Sequence, residues 1–153
     1  MSNFRTLRGK IEFGPLTTPS GFASRALVLD DGLINTGYVI ERFEIWSADP
    51  FSFTSSTASN VIYAQLSTGV TNFGQFDAGD NRQIAWSIVD ENVGVQNIID
   101  PDHVVNRDLF IRCFNSQFVE AVNVNYIIYM RKRSLSNDEA ILTIIKEDSQ
   151  NIT

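Results

Sequence analysis

The stretch Val122–Arg131, which reads VNVNYIIYMR, decides the fold class. Every second residue in it is apolar, and these residues are Val122, Val124, Tyr126, Ile128 and Met130. Successive side chains of a β-strand point to opposite faces, so this set shares one face and is predicted to lie in a core. The other face begins with Asn123 and Asn125 but ends with Ile127 and Tyr129, which predicts a contact there with another element or another subunit.

Short apolar runs recur along the chain between clusters of Gly, Pro, Asn, Asp and Ser. This spacing is typical of many-stranded sandwiches and barrels. About eight strands are predicted, at Phe4–Phe13, Ser24–Leu29, Tyr38–Ser47, Asn60–Ser67, Arg82–Asp90, Val93–Ile99, Val104–Phe114 and Glu120–Lys132. The sequence therefore predicts an all-β domain over residues 1–132, an antiparallel β-sandwich of the jelly-roll kind.

Alternation also assigns faces in the strand predicted at Tyr38–Ser47. The core-facing set is Val39, Phe43 and Ile45, and the opposite set is Tyr38, Ile40, Arg42, Glu44 and Trp46. Glu41 falls on the core-facing side, where a charge is unexpected, so it is predicted to lie in a β-bulge or at a strand end. Trp46 lies on the mixed face and is predicted to be the tryptophan that is freer to contact a ligand or partner.

The strand predicted at Arg82–Asp90 places Ile84, Trp86 and Ile88 on one apolar face. Large apolar side chains that share a face are usually buried, so these three residues are predicted to lie in the core. Trp86 is then a core residue and not a platform for a sugar ring.

A helix is predicted at Asn137–Asp148, after the last strand. Ser136 precedes it and Glu139 follows three residues later, which is the capping-box arrangement. Apolar residues then recur at helical spacing, at Ala140, Ile141, Ile144 and Ile145. Residues 133–153 are predicted to form this helix and a tail as part of the same domain.

The apolar stripe of this helix needs a cover, because an isolated helix of this length is marginal in water. The cover could be the helix's own sheet or a neighbouring subunit. Apolar patches with polar rims mark interfaces, so six residues are predicted to lie in one. They are Trp46, Ile127, Tyr129, Ile141, Ile144 and Ile145.

Length and charge limit the function classes. The 153 residues fit one domain, and a net charge of −6 repels phosphate backbones, which argues against nucleic-acid binding as the main activity. Two basic groups could still touch phosphate, although such groups are usually solvated: Arg5, Arg8 and Lys10, and the run Arg131, Lys132 and Arg133. No apolar run reaches the roughly 18 residues of a membrane helix, and the first residues lack the apolar segment of a secretory signal.

No catalytic, cofactor or metal site is predicted, and the chain is not expected to be an enzyme. His103 is the single histidine, so metal sites with two histidines are impossible, and no Gly-x-Ser-x-Gly turn presents a serine. Cys113 lies in an apolar run and is predicted to be a buried thiol. Asp77 and Asp80 could offer oxygen ligands to calcium, or they could be the ordinary residues of a tight turn.

Long polar connections are predicted at Pro50–Ser59 and Thr71–Asn81. Together with the strand count and strand spacing over residues 4–132, they resemble those of small single-jelly-roll capsid and virion structural proteins of viruses. The resemblance implies a shell or decoration subunit located in the virion, with copies of itself and other virion proteins as partners. The long basic arm of many genome-packaging capsids is missing, so only a weak nucleic-acid contact through Arg131, Lys132 and Arg133 is expected. The alternative prediction is a β-sandwich module that binds a carbohydrate or a receptor through its loops.

Overall fold

The computed structural model describes residues 3–12, 21–29, 35–48, 61–69, 76–90, 94–115 and 123–150. Within these ranges the chain forms nine strands and one helix. The strands are β1 (Phe4–Ile11), β2 (Gly21–Val28), β3 (Thr36–Ser47), β4 (Val61–Ser67), β5 (Gln83–Asp90), β6 (Gly94–Ile99), β7 (Val104–Val105), β8 (Asp108–Asn115) and β9 (Val124–Ser134). The helix, α1, spans Asn137–Gln150.

The strands form two antiparallel sheets that pack as a sandwich. One sheet has the order β1-β9-β3-β7 and the other has the order β2-β8-β4-β5-β6. The core between them is apolar and includes Phe43, Ile45, Ile62, Leu66, Leu109, Ile111, Tyr126 and Ile128, all of them buried. The predicted antiparallel β-sandwich is confirmed, and Val124, Tyr126, Ile128 and Met130 lie in its core as the alternation of β9 predicts.

The strand pairs are nested along the chain. β1 pairs with β9, β2 with β8, β3 with β7 and β4 with β5. A long hairpin rolled into two sheets gives this nesting, so the topology is compatible with a jelly roll, in which eight strands form two packed sheets. β6 is additional to these four pairs and forms an edge of the five-stranded sheet.

The prediction of one continuous strand at Val104–Phe114 is wrong. The segment forms two strands, β7 and β8, which belong to different sheets. The chain crosses between the sheets at Asn106–Arg107, where the Arg107 carbonyl accepts a hydrogen bond from the Leu29 N–H at 2.8 Å. Among the ends of the other predicted strands, Phe13, Asn60, Val93 and residues 120–122 lie outside the described residues.

A β-bulge interrupts β3 between Ile40 and Arg42, and the extra residue is Glu41. The prediction of a bulge at Glu41 is confirmed, but the predicted faces of Tyr38 and Ile40 are wrong. Both residues lie in the core together with Phe43 and Ile45. An extra residue shifts the alternation by one position, so Tyr38 and Ile40 before the bulge share a face with Phe43 and Ile45 after it. Val39 is buried as predicted, but it lies on the opposite face from Tyr38 and Ile40.

A second bulge, in β5, changes the predicted core in the same way. Leu66 pairs with Ala85 and Ser67 pairs with Gln83, so Ile84 is the extra residue. Ile84 and Ala85 both lie in the core. After the bulge the outward face carries Trp86 and Ile88, which are only half-buried, so their prediction as core residues is wrong.

Helix α1 begins at its predicted residue and extends two residues beyond its predicted end. The Glu139 N–H donates to Ser136 Oγ at 3.2 Å and the Ala140 N–H donates to the Ser136 carbonyl at 2.9 Å, which caps the first turn. Leu135 and Ala140 are buried and attach the start of the helix to the sandwich. Leu135 and Val104 approach the backbone of Gly37 so closely that a Cβ there would lie 2.5 Å from Val104 Cγ1.

Candidate functional site

An apolar groove lies on the outer face of the five-stranded sheet, beside the edge strand β6. It has a volume of about 180 Å³ and is lined by Phe76, Ala78, Trp86, Ile88, Gln96 and Ile98. The pairing of β5 with β6 brings the residues of its floor together: Trp86 pairs with Ile98, and Ile88 pairs with Gln96. For comparison, a cavity of roughly 150 Å³ accommodates benzene, so the groove is large enough for one aromatic or branched apolar side chain.

Gln83 holds the groove in shape. Its Oε1 accepts one hydrogen bond from Trp86 Nε1 at 2.8 Å and another from the Asp77 N–H at 2.9 Å. The Tyr63 ring stacks on Phe114 with centroids 4.9 Å apart and meets Phe76 edge-on at 5.6 Å. The strand that carries Trp86 and the segment that carries Phe76 are therefore fixed relative to each other.

The acidic segment Asp77–Asn81 is a turn in which the carboxylates have protein partners. Asp77 Oδ1 accepts from the Gly79 N–H at 2.9 Å, and the two Asp80 oxygens accept from the Arg82 guanidinium, each at 2.9 Å. The hydrogen bonds from Arg82 hold the pKa of Asp80 below its ordinary value. In the described ranges, no three His, Cys, Asp or Glu side chains lie close enough together to hold a metal ion.

The outer face of the same sheet also buries polar groups. Gln65 is fully buried, and its register places it opposite Trp86 on one side and Arg112 on the other. Neither polar atom of the Gln65 amide has a hydrogen-bond partner. Burial lowers the pKa of the Arg112 guanidinium from its ordinary value. This face therefore differs from the solvated outer face that an isolated antiparallel sheet usually has.

A second exposed surface is the outer face of the four-stranded sheet. It brings together three of the residues predicted to lie in an interface: Trp46, Ile127 and Tyr129, through the pairing of β3 with β9. Trp46 is exposed, and Tyr129 stacks on the exposed ring of Phe4 with centroids 5.1 Å apart. Aromatic side chains of this kind are enriched where proteins meet.

Salt bridges connect the charged residues of that face. Arg131 Nε lies 2.8 Å from Glu41 Oε1, Arg42 lies 3.0 Å from Glu44, and Lys10 lies 3.5 Å from Glu12. All of these side chains are substantially exposed, and each such pair contributes little to stability. They reduce the positive charge that the face would otherwise present.

The two basic groups singled out in the sequence lie on and beside the neighbouring strands β1 and β9, and their side chains have different surroundings. Arg5 points into the sandwich, donates to the Leu29 carbonyl at 3.3 Å and lies over the Tyr38 ring. Arg8 and Lys10 are exposed on the outer face of β1. Lys132 and Arg133 are exposed near the end of β9.

Helix α1 exposes most of its apolar residues. Ile141 is 49% exposed, Leu142 is 67% exposed and Ile145 is 58% exposed, while Ile144 is half-buried. The apolar stripe is therefore split between a buried side around Ala140 and an exposed side. Ile141 and Ile145 are two of the residues predicted to lie in an interface, and the structure adds Leu142 beside them.

His103 and Cys113 are both removed from full solvent contact. His103 is half-buried. Burial, with a further effect of the Lys146 charge, lowers the pKa of its imidazole against an opposing effect of Asp100. Cys113 is fully buried, and burial raises the pKa of its thiol to about 12. The thiol is therefore protonated at neutral pH, as its predicted structural role requires.

Comparison with family models, with curated proteins and with solved structures found no match for the chain. Within the described residues, no helix is both long enough and apolar enough to span a bilayer. The groove was not predicted from the sequence, because Phe76, Ala78 and Ile98 carry no motif. The period of two in the strand predicted at Val93–Ile99 places Gln96 and Ile98 on the same face. It does not show whether that face lies in the core or borders a groove.

Proposed function

We propose that the chain is a structural protein that assembles with copies of itself, as a capsid or virion shell subunit. The nested strand pairing supports the proposal, because it is compatible with a jelly roll, and jelly rolls are used in viral shells and in lectins. The observation that carries it is the exposed apolar side of α1, formed by Ile141, Leu142 and Ile145. Exposed apolar patches of this kind mark contacts with other proteins more often than free surface.

A shell subunit needs several contact surfaces, and the exposed apolar groups lie on distinct elements. Three such groups are the exposed side of α1, the outer face of the four-stranded sheet with Phe4 and Trp46, and the edge strand β6 with Val95 and Ile98. Val28 on β2 and Phe76 beside the groove are exposed outside these groups. Closed shells and rings require surfaces that meet different neighbours, so separate patches fit assembly better than one patch would.

The test measures the size of the purified full chain by light scattering after size-exclusion chromatography and by negative-stain microscopy. The proposal expects a defined large oligomer or particle. The double variant Leu142→Lys and Ile145→Lys should stay folded by circular dichroism, because both side chains are already exposed, and should assemble at least tenfold less well. Val28→Lys is the matched control, since Val28 is 66% exposed on β2.

A second arm removes the helix by ending the chain at Leu135. This truncated β-domain is expected to stay folded without assembling normally. A full chain that remains monomeric at high concentration would overturn the proposal. Normal assembly of both the double variant and the truncated chain would also overturn the role of α1.

The alternative function is a β-sandwich module that binds a carbohydrate or a receptor. The groove that contains Trp86 favours it, because an open cavity of about 180 Å³ lined by a half-buried indole could receive part of a ligand. A binding module would be a monomer or small oligomer, so the same size measurement separates the two functions.

A further inference from the structure

The edges of the two sheets differ in how well they are protected against pairing with another strand. Unpaired strand edges attract other strands, and proteins usually protect them with charges, prolines or short length. Among the described strands, β1 carries Arg5, Arg8 and Lys10, β2 carries Arg25, and β7 has only two residues. β6 has six residues, with no charge and no proline.

The open side of β6 presents backbone groups in a defined pattern. The Asp100 N–H donates to the Ile84 carbonyl at 2.8 Å, which fixes the phase of the hydrogen bonds between β6 and β5. Antiparallel pairs alternate, so Gln96 and Ile98 bond to β5. The N–H and C=O groups of Val95, Asn97 and Ile99 therefore point away from β5. Residues 94–98 are all exposed, so this edge is accessible.

We propose that β6 pairs antiparallel with β6 of a second copy of this chain, about a two-fold axis at Asn97. This pairing rests on the proposed self-assembly and specifies one of its contacts. About that axis Asn97 faces Asn97 of the partner subunit, and Val95 faces the partner's Ile99. Each of these pairs can exchange two backbone hydrogen bonds, because all three residues present both groups on the open side.

The absence of charge on β6 favours a second copy of this chain as the strand that pairs with it. In a two-fold contact each residue near the axis meets its own copy, so a charged strand would oppose like charges. Pairing of β1 with itself would bring Arg8 or Lys10 near their copies. β6 is uncharged from Gly94 to Ile99. The chain as a whole carries −6, and the one charged residue that this pairing would include is Asp100 at its end, opposite the partner's Gly94.

The same pairing covers the two exposed apolar residues of β6. Val95 is 60% exposed and would lie against the partner's Ile99, while Ile98 is 57% exposed and would lie against the partner's Gln96. Gln96 and Ile98 also line the groove, so the grooves of the two copies would meet across the junction. The two five-stranded sheets would become one continuous sheet.

Cysteine cross-linking tests the position of the axis. Residues that face each other in a hydrogen-bonded antiparallel pair have Cα atoms about 5.5 Å apart, which is within the range of a disulfide. Mild oxidation of Asn97→Cys should therefore give a covalent dimer on a non-reducing gel. In Val95→Cys the two thiols would be four residues out of register, about 14 Å apart at roughly 3.4 Å per residue, and should cross-link poorly. Val28→Cys reports chance collisions, and Cys113 does not interfere because it is buried.

Val95→Lys provides an independent measurement. Lysine at position 95 would put a charge against the partner's Ile99 in place of an apolar contact, so the dissociation constant of the dimer should rise at least tenfold. Val28→Lys, at a similarly exposed valine, should leave it unchanged. Circular dichroism should show both variants folded. If the wild-type chain assembles while Val95→Lys assembles equally well and Asn97→Cys cross-links no better than Val28→Cys, this pairing is wrong and the proposed function stands. A wild-type chain that is always monomeric overturns both.

Discussion

At the scale of single residues, one side-chain oxygen organises the groove. Gln83 Oε1 accepts hydrogen bonds from Trp86 Nε1 and from the Asp77 N–H, and Gln83 itself is buried. A buried amide oxygen that accepts two bonds stabilises both donors, because losing the acceptor would leave them without a partner. The indole of Trp86 is therefore held in place although one side of it faces the groove.

The exposure of Trp86 predicts how much stability the ring contributes. Phe43 is 1% exposed in the core, so Phe43→Ala should lower the free energy of unfolding by about 3–5 kcal/mol. Trp86→Ala should cost clearly less, because it widens an open groove and leaves no closed cavity. Urea unfolding followed by circular dichroism measures both variants. Equal losses would contradict the placement of Trp86 outside the core.

At the scale of elements, the two bulges decide which residues form the core. In β3 the extra residue Glu41 brings Tyr38 and Ile40 to the same side as Phe43 and Ile45. Without a bulge these two pairs would lie on opposite faces of the strand. Glu41 itself stays exposed and accepts a hydrogen bond from Arg131 Nε at 2.8 Å. The bulge thus lets a long strand bury both of its halves.

Deletion of Glu41 should therefore be far more harmful than substitution. Removing the residue forces either Tyr38 and Ile40 or Phe43 and Ile45 out of the core, so the deletion variant should fail to fold cooperatively. Glu41→Gln keeps the bulge and loses only an exposed salt bridge, which should cost less than about 1 kcal/mol. Thermal unfolding compares the two. A deletion variant as stable as Glu41→Gln would show that the strand tolerates a shift in register.

At the scale of the whole molecule, two of the three surfaces proposed for assembly are apolar, although the chain as a whole is acidic. The chain has a net charge of −6, yet β6 is uncharged and the exposed side of α1 presents Ile141, Leu142 and Ile145. Net charge makes copies repel each other in solution, and local apolar contacts must overcome that repulsion. Apolar burial and backbone pairing are therefore expected to hold the assembly together, with ion pairs of minor importance.

Salt dependence tests this expectation. Raising the salt concentration from about 0.1 M to about 1 M shortens the Debye length from about 10 Å to about 3 Å, which screens the repulsion between copies. The assembled fraction, measured by light scattering, should stay constant or increase. The double variant Leu142→Lys and Ile145→Lys should remain small at both concentrations, which excludes nonspecific precipitation. Dissociation of the wild-type assembly at high salt would show that ion pairs hold it.

The sequence by itself determined the fold class, the last strand and the helix. Alternation in β9 depends only on neighbours along the chain, and so does the cap at Ser136, which explains why both were predicted correctly. The sequence did not determine whether Ile141 and Ile145 are exposed. Apolar residues at helical spacing show that one side of a helix is apolar, but not what packs against that side.

Only the tertiary structure decided the faces of β3 and β5, the division into β7 and β8, and the groove. A bulge residue is defined by the strand opposite it, so Glu41 could be suspected and Ile84 could not. Because side chains alternate with a period of two, one extra residue reverses every assignment that follows it along the strand. Trp86 and Ile88 therefore moved from the predicted core to the floor of an open groove, where residues distant in sequence completed the site.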